Sequence, residues 1–429
     1  MFSFKKAAAG VLSCTMLLGS LVISGCSDSN TSGTQSADNT SNGSSTAHQG
    51  EIKDISSVEL VKDMKIGWSL GNTLDGGNES NRGQDPGSIE KSWGNPDTTK
   101  EMIDEIKKAG FNVLRVPTTW DWSTGEAPEY KISDEWFARV KEIVDYGMEN
   151  DMYVILNIHH ETWHDPLEKN YEAASDRLKK VWTQIGNYFK DYDEHLIFEG
   201  LNEPRVRNSD EEWNGGSDAT REVVNKLDAD FVSTIRSLDG NNKLRHLMIP
   251  GYAASSSEVA LKALKIPEND DKLIVSVHAY IPYNFALADN KRSNKWVACK
   301  EGFTNDIDNL ADMLKTLFTD KGQAVIIGEF GARSKDNDKY RAEWAKYYVT
   351  KMKTVGVPCV WWDNGAFLGS GELFGLFDRR NLEWRYPLLK DALISASNGE
   401  YTVDGLKSDT AILDELKKDI AQSKNSSAE

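Results

Sequence analysis

Cysteine is scarce in this chain of 429 residues: there are four, and two of them, Cys14 and Cys26, fall in the first 26 positions. Only Cys299 and Cys359 remain for the body, which excludes a disulfide framework and a cysteine-built zinc site. The two read as isolated thiols. Basic residues are also in deficit, 50 Lys and Arg against 67 Asp and Glu. The resulting formal net charge of -17 repels nucleic acid and anionic membrane surfaces and favours neutral or cationic partners. An apolar run near the N-terminus is too short for a spanning helix, which needs about 20 residues.

What is present is enough apolar material, 39% of residues, for a sizeable core. The first 26 residues, "MFSFKKAAAGVLSCTMLLGSLVISGC", set Lys5 and Lys6 before an apolar run and small residues before a cysteine, the pattern of an export signal. The ending "VISGC" resembles the bacterial lipoprotein signal, which implies cleavage before Cys26 and lipidation of that residue. The expected localisation is the exported side, as a cell-surface lipoprotein anchored at Cys26 or as a secreted protein. Residues 27–50 hold no aromatic residue and no aliphatic larger than Ala, as a flexible tether requires.

From residue 51 onward, apolar runs alternate with amphipathic stretches. Candidate strands are 64–70, 111–117, 152–160, 195–203, 244–250, 272–280, 323–330 and 357–363. Between them, helical periodicity is clearest over 98–110, 133–150, 218–238 and 339–356. Eight strands, each followed by a helix, and strands apolar on both faces, predict an α/β fold: a (β/α)8 TIM barrel over residues 51–398 as a single catalytic domain. Residues 399–429 read as an outer helix and a polar tail. A doubly wound open sheet is the alternative, but "GWSLGNTLDGGN" after the first strand lacks the spacing of a phosphate-binding loop.

In a barrel the chemistry sits at the C-terminal strand ends. Those ends carry Arg115, His159 and His160, Asn202 and Glu203, His278 and Tyr280, Glu329, and Trp361 and Trp362. Glu203 closes the fourth apolar run and Glu329 the seventh, so two carboxylates face each other across the mouth. That pair is the minimal equipment for glycoside hydrolysis: one protonates the leaving oxygen, and the other attacks the anomeric carbon or activates water. Glu203, with no obvious cationic neighbour, is expected to be raised in pKa by burial and so to stay protonated. Strand parity points Glu199 into the barrel, as a structural acid bonded to a buried donor.

"GFNVLRVPTTW", "VILNIHHE", "LIFEGLNEPR", "VSVHAYIPY", "VIIGEFGA" and "VWWDNG" occur in this order and together resemble glycoside hydrolase family 5, in its branch of bacterial cellulases and endo-β-1,4-glucanases, over about residues 55–395. The resemblance implies a retaining endo-β-1,4-glucanase acting on cellulose-type glucan, mixed-linkage β-glucan or xyloglucan, with Glu203 as acid/base and Glu329 as nucleophile. It further implies that Asn202 bonds the sugar 2-hydroxyl and that Arg115 and Tyr280 hold the nucleophile. His159 and His278 would complete the first subsite, and Trp362 rather than Trp361 would lie under the reacting sugar. No cofactor is expected, and the partner is a β-glucan met by a monomer.

Around the rim, Trp68, Trp93, Trp120, Trp122, Trp163, Trp213 and Trp296 are candidates for sugar stacking, with Trp163 and Trp296 preferred because they follow barrel strands. Asn72 and Asp75, after the first strand, could bond sugar hydroxyls. Three competing readings remain. A metal-dependent hydrolase would use His159, His160, Glu161 and His164, but the first two fall on opposite faces if the strand continues. A lipoprotein that binds polysaccharide without cleaving it would not need two facing acids. A hydrolase of the same family specific for xyloglucan or mannan differs only in substrate.

Overall fold

A computed structural model describes residues 48–289, 291–413 and 417. Eight parallel strands close into a barrel in chain order: β1 (Ile66–Leu70), β2 (Val113–Val116), β3 (Tyr153–Asn157), β4 (Leu196–Glu199), β5 (Leu247–Ser255), β6 (Leu273–His278), β7 (Ala324–Phe330) and β8 (Cys359–Asp363). The expected barrel is therefore the observed one, and every predicted strand lies where an apolar run stands. The helices read from periodicity run Lys100–Ala109, Asp134–Glu149, Asp218–Ser237 and Asp338–Thr354, and Tyr171–Tyr188 adds a long one between β3 and β4. Ser133 and Ser217 start two of them by accepting a backbone N–H with their side chains.

The barrel interior is layered. Val113, Ile155, Ile197, Met248, Ile274, Ala324, Ile326 and Val360 form an apolar floor, on which Leu60, Val61 and Met64 pack from the helix Ser57–Asp63 and its end. Two residues further along the strands, the same inward parity presents Arg115, Asn157, Glu199 and Ser276, all buried. A polar layer thus lies on an apolar one, and the outward positions of the strands pack on the helices in a second, larger cluster. Cys299 and Cys359 are both free thiols.

Strand order alone would turn Glu329 outward, because Ile327 two residues before it packs on the helices. The register between β6 and β7 shifts there, from Val277 opposite Ile327 to His278 opposite Glu329, with Gly328 as the extra residue. This bulge re-aims Glu329 into the barrel mouth. A Cβ on Gly328 would come within 2.8 Å of Ser276 Oγ and 3.2 Å of His278 Nε2, so the close approach requires glycine.

At the N-terminal edge, residues assigned to the tether by composition join the body: Gly50 N–H donates to Asp191 O at 3.0 Å, and Gln49 bridges Tyr192. The predicted signal, Cys26 and the tether up to residue 47 lie outside the described residues. At the other end, Pro387–Asn398 closes the barrel helices and a short helix, Val403–Ser408, follows it, with Leu406 buried and Lys407 Nζ bonded to Asp308 Oδ2 at 2.8 Å. The polar tail beyond residue 413 falls almost wholly outside the described residues. Among the described residues no helix is long and apolar enough to cross a membrane.

Candidate active site

Arg115 organises the mouth. Fully buried, its guanidinium donates from Nε to Glu199 Oε2 (2.8 Å), from Nη1 to Glu329 Oε1 (2.7 Å) and from Nη2 to Asn202 Oδ1 (2.7 Å). Burial works against its charge, but the carboxylates of Glu199 and Glu329 outweigh that and push its pKa up, so it stays ionised. Glu199 also accepts from Asn157 Nδ2 (3.0 Å) and Ser276 Oγ (2.7 Å), which makes it the buried structural acid expected from parity. Its role explains an acid within an apolar strand: three donors offset the desolvation of the carboxylate.

Glu329 receives a second bond from Tyr280, whose hydroxyl donates to Oε2 at 2.8 Å. Burial, then the charges of Glu329 and Glu203, raise the Tyr280 phenol well above its usual value, so it remains a donor. His278 Nδ1 lies 2.8 Å from Glu203 Oε1 and 3.6 Å from Glu329 Oε2, between the two acids. One oxygen of each acid lies within 4.8 Å of the other. Carboxyl groups about 5 Å apart suit covalent attack, whereas inverting pairs stand about 6.5–9.5 Å apart to admit a water.

Glu203 does not follow the expectation for its pKa. β4 ends at Glu199, so Glu203 stands on the loop beyond it, and the loop brings a cation from two residues away onto it: Arg205 Nη1 lies 3.3 Å from Glu203 Oε2 and donates to its backbone O at 2.9 Å. Burial raises the carboxyl, but the hydrogen bond and charge of His278, then Arg205 and Arg115, outweigh it, and the net direction is down. His278 moves oppositely: burial lowers it, and the charges of Glu329 and Glu203 with the Glu203 bond raise it. In the free site the pair therefore holds its proton toward the imidazole, and the two titrate as a unit.

The remaining predicted residues divide. Trp362 points into the mouth, its ring parallel to His159 at 5.6 Å, and a Cβ on Gly71 would meet it at 2.8 Å. Trp361 points outward and bonds Phe374 O. His159 accepts from Asn157 Nδ2 at 3.1 Å, and burial holds its pKa well below the usual value, so the ring is neutral. Asn72, after β1, takes a left-handed turn at φ 56, its N–H donating to Asp75 Oδ2 and its C=O accepting from Asn95 Nδ2. Asp75 is not a free sugar ligand: both its oxygens are engaged by the N–H groups of Asn72 and Thr73, and burial raises it to about 6.

Trp296 is a correction. It is 2% exposed, donates to Phe303 O and packs on Tyr347, because its chain position after β6 says nothing of the direction of its ring. Trp68, Trp120 and Trp122 are likewise buried. Trp163 stays at the rim, half-buried, with Nε1 bonded to Glu161 Oε2 and the Arg177 guanidinium 5.2 Å from its ring centre. The exposed tryptophans are Trp93 and Trp213.

The four-residue metal set is not assembled. Glu161 turns to the Trp120 N–H and Trp163, and neither ring nitrogen of buried His164 has a partner among the described residues. The opposite-face argument fails too: β3 ends at Asn157, so His159 and His160 both approach Asp75, at 4.0 and 3.8 Å. Sequence reasoning missed Arg205, legible in "NEPR" itself; His160 was turned to the wrong face, and the early strand end brings it toward Asp75 beside His159.

A family profile described as Cellulase (glycosyl hydrolase family 5) matches residues 77–368. Endoglucanase B of Neocallimastix patriciarum is 49% identical over 80% of this chain and 72% of its own length. Endoglucanase A of Ruminococcus albus is 44% identical over 81% of this chain and 94% of its own. Among solved structures, a GH5-4 broad specificity endoglucanase from Ruminococcus champanellensis with bound cellotriose superposes with a TM-score of 0.77 at 42% identity, covering 80% of this chain and 99% of that one. The arrangement of two acids on the mouth of a (β/α)8 barrel and these matches agree: the chain belongs to glycoside hydrolase family 5.

Proposed function

We propose that the protein is a retaining endo-β-1,4-glucanase, with Glu329 as nucleophile and Glu203 as acid/base. The observation that carries this is that one oxygen of each acid lies within 4.8 Å of the other, one acid held by Arg115 and Tyr280, the other by His278 and Arg205. Glu329 attacks the anomeric carbon while the bond to the leaving sugar breaks and the proton of the Glu203–His278 pair passes through Glu203 to the leaving oxygen. In the second half, Glu203 takes a proton from water, whose oxygen attacks the same carbon and frees Glu329. Asn202, with Oδ1 fixed by Arg115, presents its amide nitrogen to the 2-hydroxyl, and Trp362 supports the ring.

The names of the relatives favour β-1,4-linked glucans: endoglucanases, a structure with cellotriose, and a family 5 lichenase from a Caldicellulosiruptor species solved with cellotetraose. Mixed-linkage glucan and xyloglucan are part of the same proposal. The test is reducing-sugar release and product sizing on soluble glucans, xyloglucan and mannan, with the chain from residue 48 onward beside Glu329→Ala. Cleavage of glucans by the parent alone is expected. Binding without cleavage by both would make this a polysaccharide-binding protein, and preference for mannan would reassign the substrate.

Export and anchoring at Cys26 belong to the same proposal, supported by the lipoprotein-type ending of the first 26 residues and the tether after it. A Cys26→Ser variant should leave the membrane fraction; retention there would refute the anchor. Monomeric behaviour is expected in sedimentation.

A further inference from the structure

Two histidines meet at the N-terminal face of the barrel, opposite the mouth. His195 directly precedes β4, and His48 begins a segment laid beside the approach to that strand: Gln49 bridges Tyr192, and the Asp193 N–H donates to His48 O at 3.0 Å. Their ring centres are 4.3 Å apart. Tyr153, the first residue of β3, stacks its ring on His195 at 4.8 Å, which fixes the plane of that imidazole. The third member is Asp151, in the turn before β3, with its side chain 76% exposed. Its backbone is left-handed (φ 52) and anchored, the N–H donating to Met148 O and the C=O accepting from Lys107 Nζ at 2.7 Å.

Asp193 sets the protons of both rings. Its Oδ2 lies 2.9 Å from His48 Nδ1 and its Oδ1 3.0 Å from His195 Nδ1, so each Nδ1 donates to it. In a neutral ring the other nitrogen, Nε2, is then a lone pair. Both Nε2 atoms approach one oxygen: Asp151 Oδ1 lies 3.3 Å from that of His48 and 3.9 Å from that of His195. Three acceptors gathered in this way repel one another unless a proton or a metal ion sits among them. A carboxylate that holds the near nitrogens while the far ones converge is also how metal-binding histidines are oriented. Zinc bonds of about 2.0–2.1 Å at tetrahedral angles set ligand atoms about 3.3 Å apart. His48 and Asp151 already stand at that spacing, and the exposed Asp151 side chain has the freedom to close the remainder toward His195.

We propose that His48, His195 and Asp151 form a binding site for one divalent transition-metal ion, zinc by its ligand set, with Asp193 orienting both rings and solvent in the fourth position. The site lies before β3 and β4, whereas the two acids stand at the other end of the barrel, so the ion takes no part in glucan cleavage. Its effect is mechanical: His48 belongs to the segment that composition assigns to the tether, and the ion ties that segment to the body of the domain. The proposal does not depend on the glucanase reading.

The test is a zinc titration of the full chain in mild detergent, produced without a polyhistidine tag and stripped by a chelator, read by calorimetry and by metal analysis after gel filtration. One zinc ion per chain should bind with a Kd of about 1 μM or below. His48→Gln and His195→Gln should each weaken binding by about 30-fold or more, since each removes one of three protein ligands. At free zinc about 100 times Kd, the melting temperature of the parent should rise by about 3 °C and that of His48→Gln should stay in place. No binding by the parent at about 100 μM zinc overturns the site and leaves the cluster bridged by protons alone. Binding undiminished in either variant overturns it as well, because the ion then sits elsewhere.

Discussion

The two acids of the site are built differently. Glu329 stands on a strand, aimed by a bulge, and its partners are Arg115 on β2 and Tyr280 two residues past the end of β6. Glu203 stands on a loop, and apart from His278 its partner is Arg205 on the same loop. The nucleophile needs a fixed charge and a fixed distance, which the polar interior layer supplies. The acid/base must gain and lose a proton in each turnover and meet a varying leaving group, and the loop supplies a tunable environment.

The largest test of this contrast removes each acid in turn. Glu329→Gln should lower kcat about 10⁴-fold or more on every substrate, because no other group forms the covalent bond. Glu203→Gln should be as severe on cellopentaose but far milder on the first, glycosylating step with β-cellobiosyl fluoride, which leaves without a proton. Pre-steady-state fluoride release reads that step. Equal losses with both leaving groups would erase the division of roles.

Next in size is Arg115→Lys. Lysine keeps the charge but cannot fork to Glu199, Glu329 and Asn202 together. Leaving a buried carboxylate unpaired costs about 3–5 kcal/mol, so the melting temperature should drop along with kcat. An unchanged melting temperature would mean that the interior layer does not depend on this residue.

The fold was legible because every strand is an apolar run, and the site because polar residues cluster at one end of those runs. What stayed hidden was direction. Alternation alone would turn Glu329 outward, and only the register shift at Gly328 restores it. Trp296 follows a strand and yet faces the core, whereas Trp213, no more prominent in the sequence, faces solvent. The pKa of Glu203 is hidden for a related reason: only the loop geometry shows that Arg205, two residues on, folds back onto the acid.

On the loop side, Arg205→Gln should shift pH dependence more than rate. Arg205 is among the charges that lower the Glu203 carboxyl, so its loss moves that value up. The protonated acid then persists to higher pH, and the alkaline limb of kcat/KM should move upward while activity at the optimum falls less than about tenfold. A limb that stays in place would confine Arg205 to holding the loop.

A last contrast, which touches stability and not the chemistry, separates a satisfied buried acid from an orphan. Glu199 has three donors; Asp228, fully buried in the helix Asp218–Ser237, has no partner for either oxygen among the described residues, and burial raises its pKa well above the usual value. A raised folded value means that Asp228 imposes no penalty below the unfolded value of about 3.9 and an increasing one as pH climbs toward the folded value, at about 1.4 kcal/mol per unit. Asp228→Asn removes that penalty without changing the shape of the side chain. Its melting temperature should exceed the parent's by more at pH 8 than at pH 5, and the gain should vanish near pH 3.5. A gain independent of pH would show that Asp228 is not held protonated, and a loss at all pH values that it has a partner worth more than its desolvation.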